Sequence, residues 1–251
     1  MKTVGAVILA AGKGTRMKMI SENKVVLPLA DKPMIQHILE FMKRLQIKTT
    51  VVVVGFAKES VMKVLTDFNV IYAEQNETLG TGHALVCALN KLPNEIENVF
   101  VVYGDDAVLY AESNIPIIKK LFEIQELDNA AITFLTIEQS NPYALGRIVR
   151  DIKGDLVGIV EEKDATEAQR KITEINPGCF VFSVKFLWKY LSRIEKSPIT
   201  GEYYINNFID LAIKNGERVR TIKGGRINWR GVNNKEELEE AEILFNSSSH
   251  K

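Results

Sequence analysis

The chain has 251 residues, with 32 Lys+Arg against 32 Asp+Glu, and this zero formal charge at pH 7 argues against a dedicated nucleic-acid binder. Hydrophobic residues make up 46% and charged residues 25%, as in an ordinary globule, and no uncharged apolar run approaches the ~20 residues needed to span a bilayer. The length accommodates one large α/β domain or a domain with a sizeable insertion, whereas two independent large domains would be cramped.

Met1-Lys2-Thr3 leads into Val4 to Ala10 with the outline of a signal peptide, yet Gly12-Lys13-Gly14-Thr15-Arg16 follows at once and makes the run a buried strand feeding a functional loop. Two glycines, a lysine and an arginine in one loop can offer backbone N–H groups and cationic side chains to phosphate. The commonest phosphate loops do not fit: G-x-x-x-x-G-K-[ST] fails at Val7 and Gly14, and G-x-G-x-x-G fails at Met17. Pro33 reads as the first residue of a helix that places Met34, Ile38, Met42 and Leu45 on one face. Thr49 to Val54 is a second strand, and its continuous valine run predicts burial on both faces. No acidic residue follows it at Val54-Gly55-Phe56, so the usual ribose-binding carboxylate of a dinucleotide site is missing.

Further strands at Val70 to Ala73, Val99 to Tyr103 and Ala130 to Ile137 alternate with helical stretches, which predicts βαβ units and a parallel sheet. Gly80-Thr81 reads as a helix N-cap, with Thr81 ahead of the periodic Leu85, Leu89 and Leu92. Cys87 and Cys179 are far apart and lie among apolar neighbours, so they read as small core residues of a protein from a reducing cytoplasm. After Asn141-Pro142 the texture changes: 147–151 and 156–162 flank Ile152-Lys153-Gly154-Asp155 as an antiparallel hairpin. Helical patterns cover 184–194 and 203–215, and an acidic amphipathic helix over 236–245 precedes a tail at 246–251. No solenoid or hexapeptide repeat is present.

Asp105 ends the apolar run Val99 to Gly104, where open α/β sheets place ligands, and its hard oxygens suit magnesium. An aspartate there is also a common turn former. Successive strand residues point to opposite faces, so Asp106 is expected to face solvent with no metal role.

Leu9-Ala10-Ala11-Gly12-Lys13-Gly14-Thr15-Arg16-Met17, followed by Lys24, resembles the N-terminal signature of the sugar-nucleotidyltransferase family. Glu74-Gln75 with Leu79 to Ala84, Tyr103-Gly104-Asp105, Gly146 to Val149, Ile159 to Asn176 and Gly231 to Asn234 extend the resemblance over nearly the whole chain. Within the family it points to the uridylyltransferase (pyrophosphorylase) domains of bacterial N-acetylglucosamine-1-phosphate uridylyltransferases. The resemblance implies an α/β fold: a Rossmann-like, mostly parallel sheet flanked by helices, with an inserted antiparallel sugar-binding region. It implies one nucleotidyltransferase domain over 1–245, in which 1–138 bind nucleotide, 139–234 mainly bind sugar and 235–245 form a closing helix.

The reaction implied is magnesium-assisted attack of N-acetylglucosamine 1-phosphate on the α-phosphorus of UTP, giving UDP-N-acetylglucosamine, a cell-wall precursor, and pyrophosphate. By resemblance Arg16 and Lys24 are the catalytic cations, and Leu9, Ala10, Ala11, Gly12, Gln75, Gly80, Thr81, Tyr103 and Gly104 bind the nucleotide. Gly146, Glu161, Asn176 and Asn233 are assigned to the sugar phosphate, and Asp105 with Asn233 to Mg2+. The E-x-K-D-A spacing selects Glu161 over Glu162. The partners implied are small molecules, UTP and a sugar 1-phosphate, with no nucleic acid, no membrane and a cytoplasmic location; the oligomeric state is left open. The attacking phosphate oxygen is already ionised, so His83 reads as structural rather than as a base.

Two departures touch the site. Asn23 stands where the family usually has proline, and G-D-x-P-L appears as Gly104-Asp105-Asp106-Ala107-Val108, which removes two residues that stiffen loops. The related bacterial enzymes continue into a left-handed β-helix with acetyltransferase activity, and this sequence stops one helix after Asn234, as either a single-function enzyme or a truncated one. A glucose-1-phosphate uridylyl- or thymidylyltransferase is the alternative; Glu161 to Asn176 argues against it. Joint retention of Arg16, Lys24, Asp105 and Asn233 argues against a non-catalytic nucleotide-sugar-binding subunit.

Overall fold

The computed structural model describes residues 2–14, 17, 21–142 and 145–248. The strands are β1 (Val4–Ala10), β2 (Pro28–Leu29), β3 (Lys32–Pro33), β4 (Thr50–Val54), β5 (Ile71–Glu74), β6 (Asn98–Tyr103), β7 (Ile132–Glu138), β8 (Arg147–Arg150), β9 (Leu156–Val160), β10 (Glu174–Ile175), β11 (Phe180–Ser183) and β12 (Val219–Lys223). The helices are α1 (Met34–Arg44), α2 (Lys58–Val64), α3 (Thr81–Leu89), α4 (Ile115–Leu127), α5 (Glu167–Arg170), α6 (Val184–Tyr190), α7 (Asn207–Lys214) and α8 (Lys235–Ser248).

One sheet runs in the order β5-β4-β1-β6-β11-β7-β10-β8-β9, with β12 beside β7. β5, β4, β1 and β6 are parallel neighbours, and β12 is parallel to β7. β11 joins β6 to β7 antiparallel to both, and β10 pairs antiparallel with β7 further along, at Ile137 and Glu138, carrying the antiparallel β8 and β9 beyond it. The fold is thus the mostly parallel α/β sheet with an antiparallel region that the sequence leads one to expect.

The valine run shows why both faces are apolar. Val52 and Val54 pack with Ile8, Met34 and Ile38 on one face, while Val51 and Val53 pack with Val7, Leu85 and Ala88 on the other. Helices α1, α2, α4 and α8 cover the first face, and α3, α6 and α7 cover the second.

Several element ends differ from the sequence reading. Pro33 precedes α1 as its cap rather than opening it. The helix from Val184 stops at Tyr190 and tightens into a 3-10 turn over Leu191–Arg193. Asn246 to Ser248 continue α8, so the tail begins later than 246. The helix expected from Tyr203 begins at Asn207, because the preceding backbone is bound elsewhere: Tyr203 N–H donates to Leu79 C=O at 2.8 Å, Tyr203 C=O accepts from Gly82 N–H at 2.7 Å, and Ile205 N–H donates to the Thr81 hydroxyl at 3.0 Å.

Candidate active site

A cleft of about 510 Å³ opens at the carboxyl ends of β1 and β6, where parallel strands leave their loops free to gather ligand groups. Leu9, Ala10, Ala11, Gly12, Lys24, Gln75, Gly80, Thr81, Tyr103, Asp105, Gly146, Glu161, Asn176 and Asn233 all line it. Gly104 stands behind the wall, where its N–H donates to Leu9 C=O and a Cβ would press on Val25 at 3.0 Å. Arg16 lies outside the described residues.

The first loop is tied down by Asn23, which has no solvent exposure. Its Nδ2 donates to the carbonyls of Ala10 (2.9 Å), Gly12 (3.2 Å) and Phe56 (2.9 Å), its Oδ1 accepts from Val25 N–H at 3.2 Å, and its own N–H donates to Ser60 Oγ at 3.0 Å. Asn23 therefore stiffens the loop by cross-linking where a proline would have stiffened it by fixing φ.

The next residue reaches into the cleft. The Lys24 ammonium, on a side chain only 15% exposed, donates to Asp105 Oδ2, to Val232 C=O at 3.1 Å and to Asn233 Oδ1 at 3.0 Å. One cation thus gathers oxygens from the end of β6 and from the segment leading into α8. Among the described residues no three acidic, histidine or cysteine side chains form a metal cage. The donor set is one carboxylate with neutral oxygens, the hard and sparse kind that magnesium takes from protein while keeping water and phosphate for the rest.

Toward one end, Gln75 is 5% exposed. Its Nε2 donates to Gly80 C=O at 2.9 Å and lies 3.1 Å from His83 Nδ1. Of the pair Gly80-Thr81, Gly80 caps α3: its φ is 102°, and a Cβ added there would stand 2.5 Å from Tyr203 C=O, which leaves room for glycine alone. Thr81 is the first helical residue, and its hydroxyl holds Ile205 instead.

The other end is polar and comes from the later part of the chain. Asn206 Nδ2 donates to Glu161 Oε1 at 2.7 Å, Asn176 Nδ2 donates to Asn206 Oδ1 at 3.0 Å, and Gly178 N–H donates to Asn176 Oδ1 at 2.8 Å. Burial, with the charge of Asp164 adding to it, raises the Glu161 carboxyl above its ordinary value. Glu162 faces away from this chain of amides and pairs with the buried Arg147 at 2.5 Å. Tyr103 separates the two ends and packs on Gly178; burial, then the charge of Glu161, pushes its phenol up so that it stays neutral.

Asp106 is not on the surface. It is 2% exposed, lines the same cleft, and its Oδ2 makes no hydrogen bond. Burial, then the neighbouring Asp105, raises its carboxyl well above the ordinary range. The alternation argument fails because β6 ends at Tyr103 and the two aspartates stand in a turn. Asn206 and Tyr204 were absent from the sequence reading, and Asn23 entered it only as a departure from the family's proline. The Asn23 departure was the one signal available; Asn206 and Tyr204 were hidden within a supposed helix.

Residues 5–246 match the nucleotidyl transferase family. The chain is 41% identical over 238 residues to the bifunctional protein GlmU of Caldicellulosiruptor saccharolyticus, covering 94% of this chain and 50% of that protein. It is 35% identical over 241 residues to the bifunctional protein GlmU of a Psychrobacter species, covering 96% of this chain and 51% of that one. The chain thus spans about half the length of these relatives. A crystal structure from Bacillus anthracis, assigned as a glucose-1-phosphate thymidylyltransferase and holding sucrose, superposes with a TM-score of 0.79 at 21% identity over 96% of this chain and 95% of that one, a likeness of fold.

Proposed function

The chain belongs to the nucleotidyl transferase family, and from that premise we propose that it joins UTP to N-acetylglucosamine 1-phosphate. The sugar phosphate oxygen attacks the α-phosphorus, the bond to the bridging oxygen breaks, and pyrophosphate leaves. The observation that carries this reading is the convergence of Lys24, Asp105 and Asn233, from distant parts of the chain, in a cleft whose two ends differ in chemistry.

At the base end the Gln75 amide nitrogen faces a carbonyl, so the amide oxygen is what remains for a base, and an oxygen there suits the N3–H of uracil. At the sugar end, Glu161 accepts hydroxyl donors, and Asn176 has one N–H left after its bond to Asn206, a fit for the carbonyl of an N-acetyl group. Between the two, two anions must be brought together, and cations with well-placed backbone groups accomplish this without a protein nucleophile. No base is required because the attacking oxygen is already ionised. Arg16 belongs to the same reading as a phosphate-binding cation. Asp105 and Asn233 fit magnesium, which when bound would neutralise phosphate charge during transfer. On this reading 1–138 supply the nucleotide site, and 139–234 mainly the sugar site.

Pyrophosphate release from several nucleoside triphosphates, each paired with several sugar 1-phosphates, tests the proposal. UTP with N-acetylglucosamine 1-phosphate is expected to give the highest kcat/KM, chelation to abolish turnover, and Asp105→Asn to lose about 2 kcal/mol or more of transition-state stabilisation. A better rate with glucose 1-phosphate would transfer the assignment to a glucose-1-phosphate uridylyltransferase, and wild-type turnover by Asp105→Asn would defeat the metal role.

A further inference from the structure

We infer that His83 is a positioning residue that locks the Gln75 carboxamide in one orientation, and that this lock selects uracil over cytosine; the inference rests on the uridylyl reading above. Gly80 C=O can only accept, so the Gln75 atom 2.9 Å from it is the nitrogen. The second hydrogen on that nitrogen points to His83 Nδ1 at 3.1 Å, which must then carry a lone pair. The ring proton is thereby placed on Nε2, the nitrogen that faces Cys87 Sγ at 3.8 Å. Both hydrogens of the amide are engaged by protein, and the oxygen is the one group of Gln75 left to a ligand in the cleft.

The selectivity follows from the edge of the base. Uracil carries a hydrogen on N3 and gives it to an oxygen, whereas cytosine carries a lone pair at N3 and meets the same oxygen with repulsion. A glutamine free to rotate would serve both bases by turning its nitrogen outward. Gly80 C=O alone holds one hydrogen of the amide and already accepts from Ala84 N–H at 3.1 Å. His83 supplies the second restraint. It is the third residue of α3, so its ring is aimed by the same helix start that Gly80 caps and that the loop at Tyr203 clamps.

The test compares kcat, KM and nucleotide dissociation constants for UTP and CTP in the wild type, His83→Leu and His83→Asn. Leucine keeps bulk and removes the acceptor, whereas the asparagine Oδ1 stands near the place of Nδ1 and restores it. For His83→Leu the UTP-over-CTP preference is expected to fall roughly tenfold, carried by KM, with kcat little changed. His83→Asn is expected to recover most of that preference. Heteronuclear NMR of the wild-type histidines adds a readout that no variant can spoil by failing to fold, with His83 expected as the Nε2–H tautomer. Unchanged selectivity in His83→Leu, equal losses with both nucleotides, failure of asparagine to rescue, or an Nδ1–H tautomer would each overturn the inference. A wild type that prefers CTP would overturn the uridylyl reading along with it.

Discussion

Glu161 sits where burial works against the charge that sugar binding would use. Its carboxyl is raised above the ordinary value by burial first, then opposed by the Asn206 hydrogen bond and pushed further by Asp164. A raised value in the fold means that the native state holds the proton more tightly than the unfolded chain. The stabilising contribution is therefore complete at pH below the ordinary carboxylate value and is lost as pH rises through the raised one. Glu161→Gln removes this penalty: Tm at neutral pH is expected to rise by roughly 2 °C, and the gain to shrink as the pH is lowered toward the ordinary carboxylate range. The same variant is expected to raise KM for the sugar phosphate about 3- to 10-fold while leaving KM for the nucleotide alone. In the wild type the sugar KM is expected to climb on the acid side, a limb that Glu161→Gln should lack. Matching pH profiles for the two proteins would show that Glu161 does not carry the titration.

Three short elements meet at Asn23: the loop leaving β1, the turn between β4 and α2, and the turn that carries Lys24. Its backbone, at φ −80° and ψ 142°, is one that proline could adopt. Restoring the family's residue is nonetheless expected to harm this chain, since Asn23→Pro loses the N–H bond to Ser60 and leaves the carbonyls of Ala10, Gly12 and Phe56 without their donor, the first of them buried. Urea unfolding should place both Asn23→Pro and Asn23→Ala about 2 to 4 kcal/mol below the wild type. A proline variant of native stability would mean that a stiff φ alone sets the loop. Much of the framework was legible in sequence at this scale. Val51 to Val54 need no partner to declare a strand buried on both faces, and the order Leu9 to Gly12, Gln75, Tyr103 and Asp105 follows successive strand ends. Illegible parts depend on contacts made across the chain. Tyr203 to Asn206 have helical periodicity, but the backbone of Tyr203 bonds to Leu79 and Gly82 and the Ile205 N–H to Thr81, and these tertiary hydrogen bonds outweigh a weak local preference. Asn206 could not be singled out for the same reason, since its meaning comes from Glu161 and Asn176.

Across the whole molecule, the Lys24 ammonium ties distant segments together at the cleft. Lys24 links the start of the chain to Asp105, 81 residues away, and to Val232 and Asn233, 208 and 209 residues away. The Asp105 and Asn233 oxygens are also the proposed magnesium ligands, so on that proposal the ammonium and the metal compete for them. On that proposal a triphosphate would offer Lys24 new anionic partners and release Asp105 and Asn233 to the metal, so that metal loading would be coupled to nucleotide binding. Lys24→Met keeps most of the apolar stem and deletes the charge. Removing a cation in contact with a carboxylate should raise the affinity of the ligand-free protein for Mn2+ roughly tenfold, read by calorimetry or electron paramagnetic resonance. Turnover should fall by about 100-fold or more, because a phosphate-neutralising charge is gone. Thermal unfolding gives the whole-molecule readout: without metal the variant should melt below the wild type, having lost the tie between distant segments, and Mn2+ should raise its Tm by more than it raises that of the wild type. Equal or weaker metal binding by Lys24→Met would show that the ammonium and the metal occupy separate positions, and that the tie at Lys24 is a structural bridge with no part in ordering the substrates.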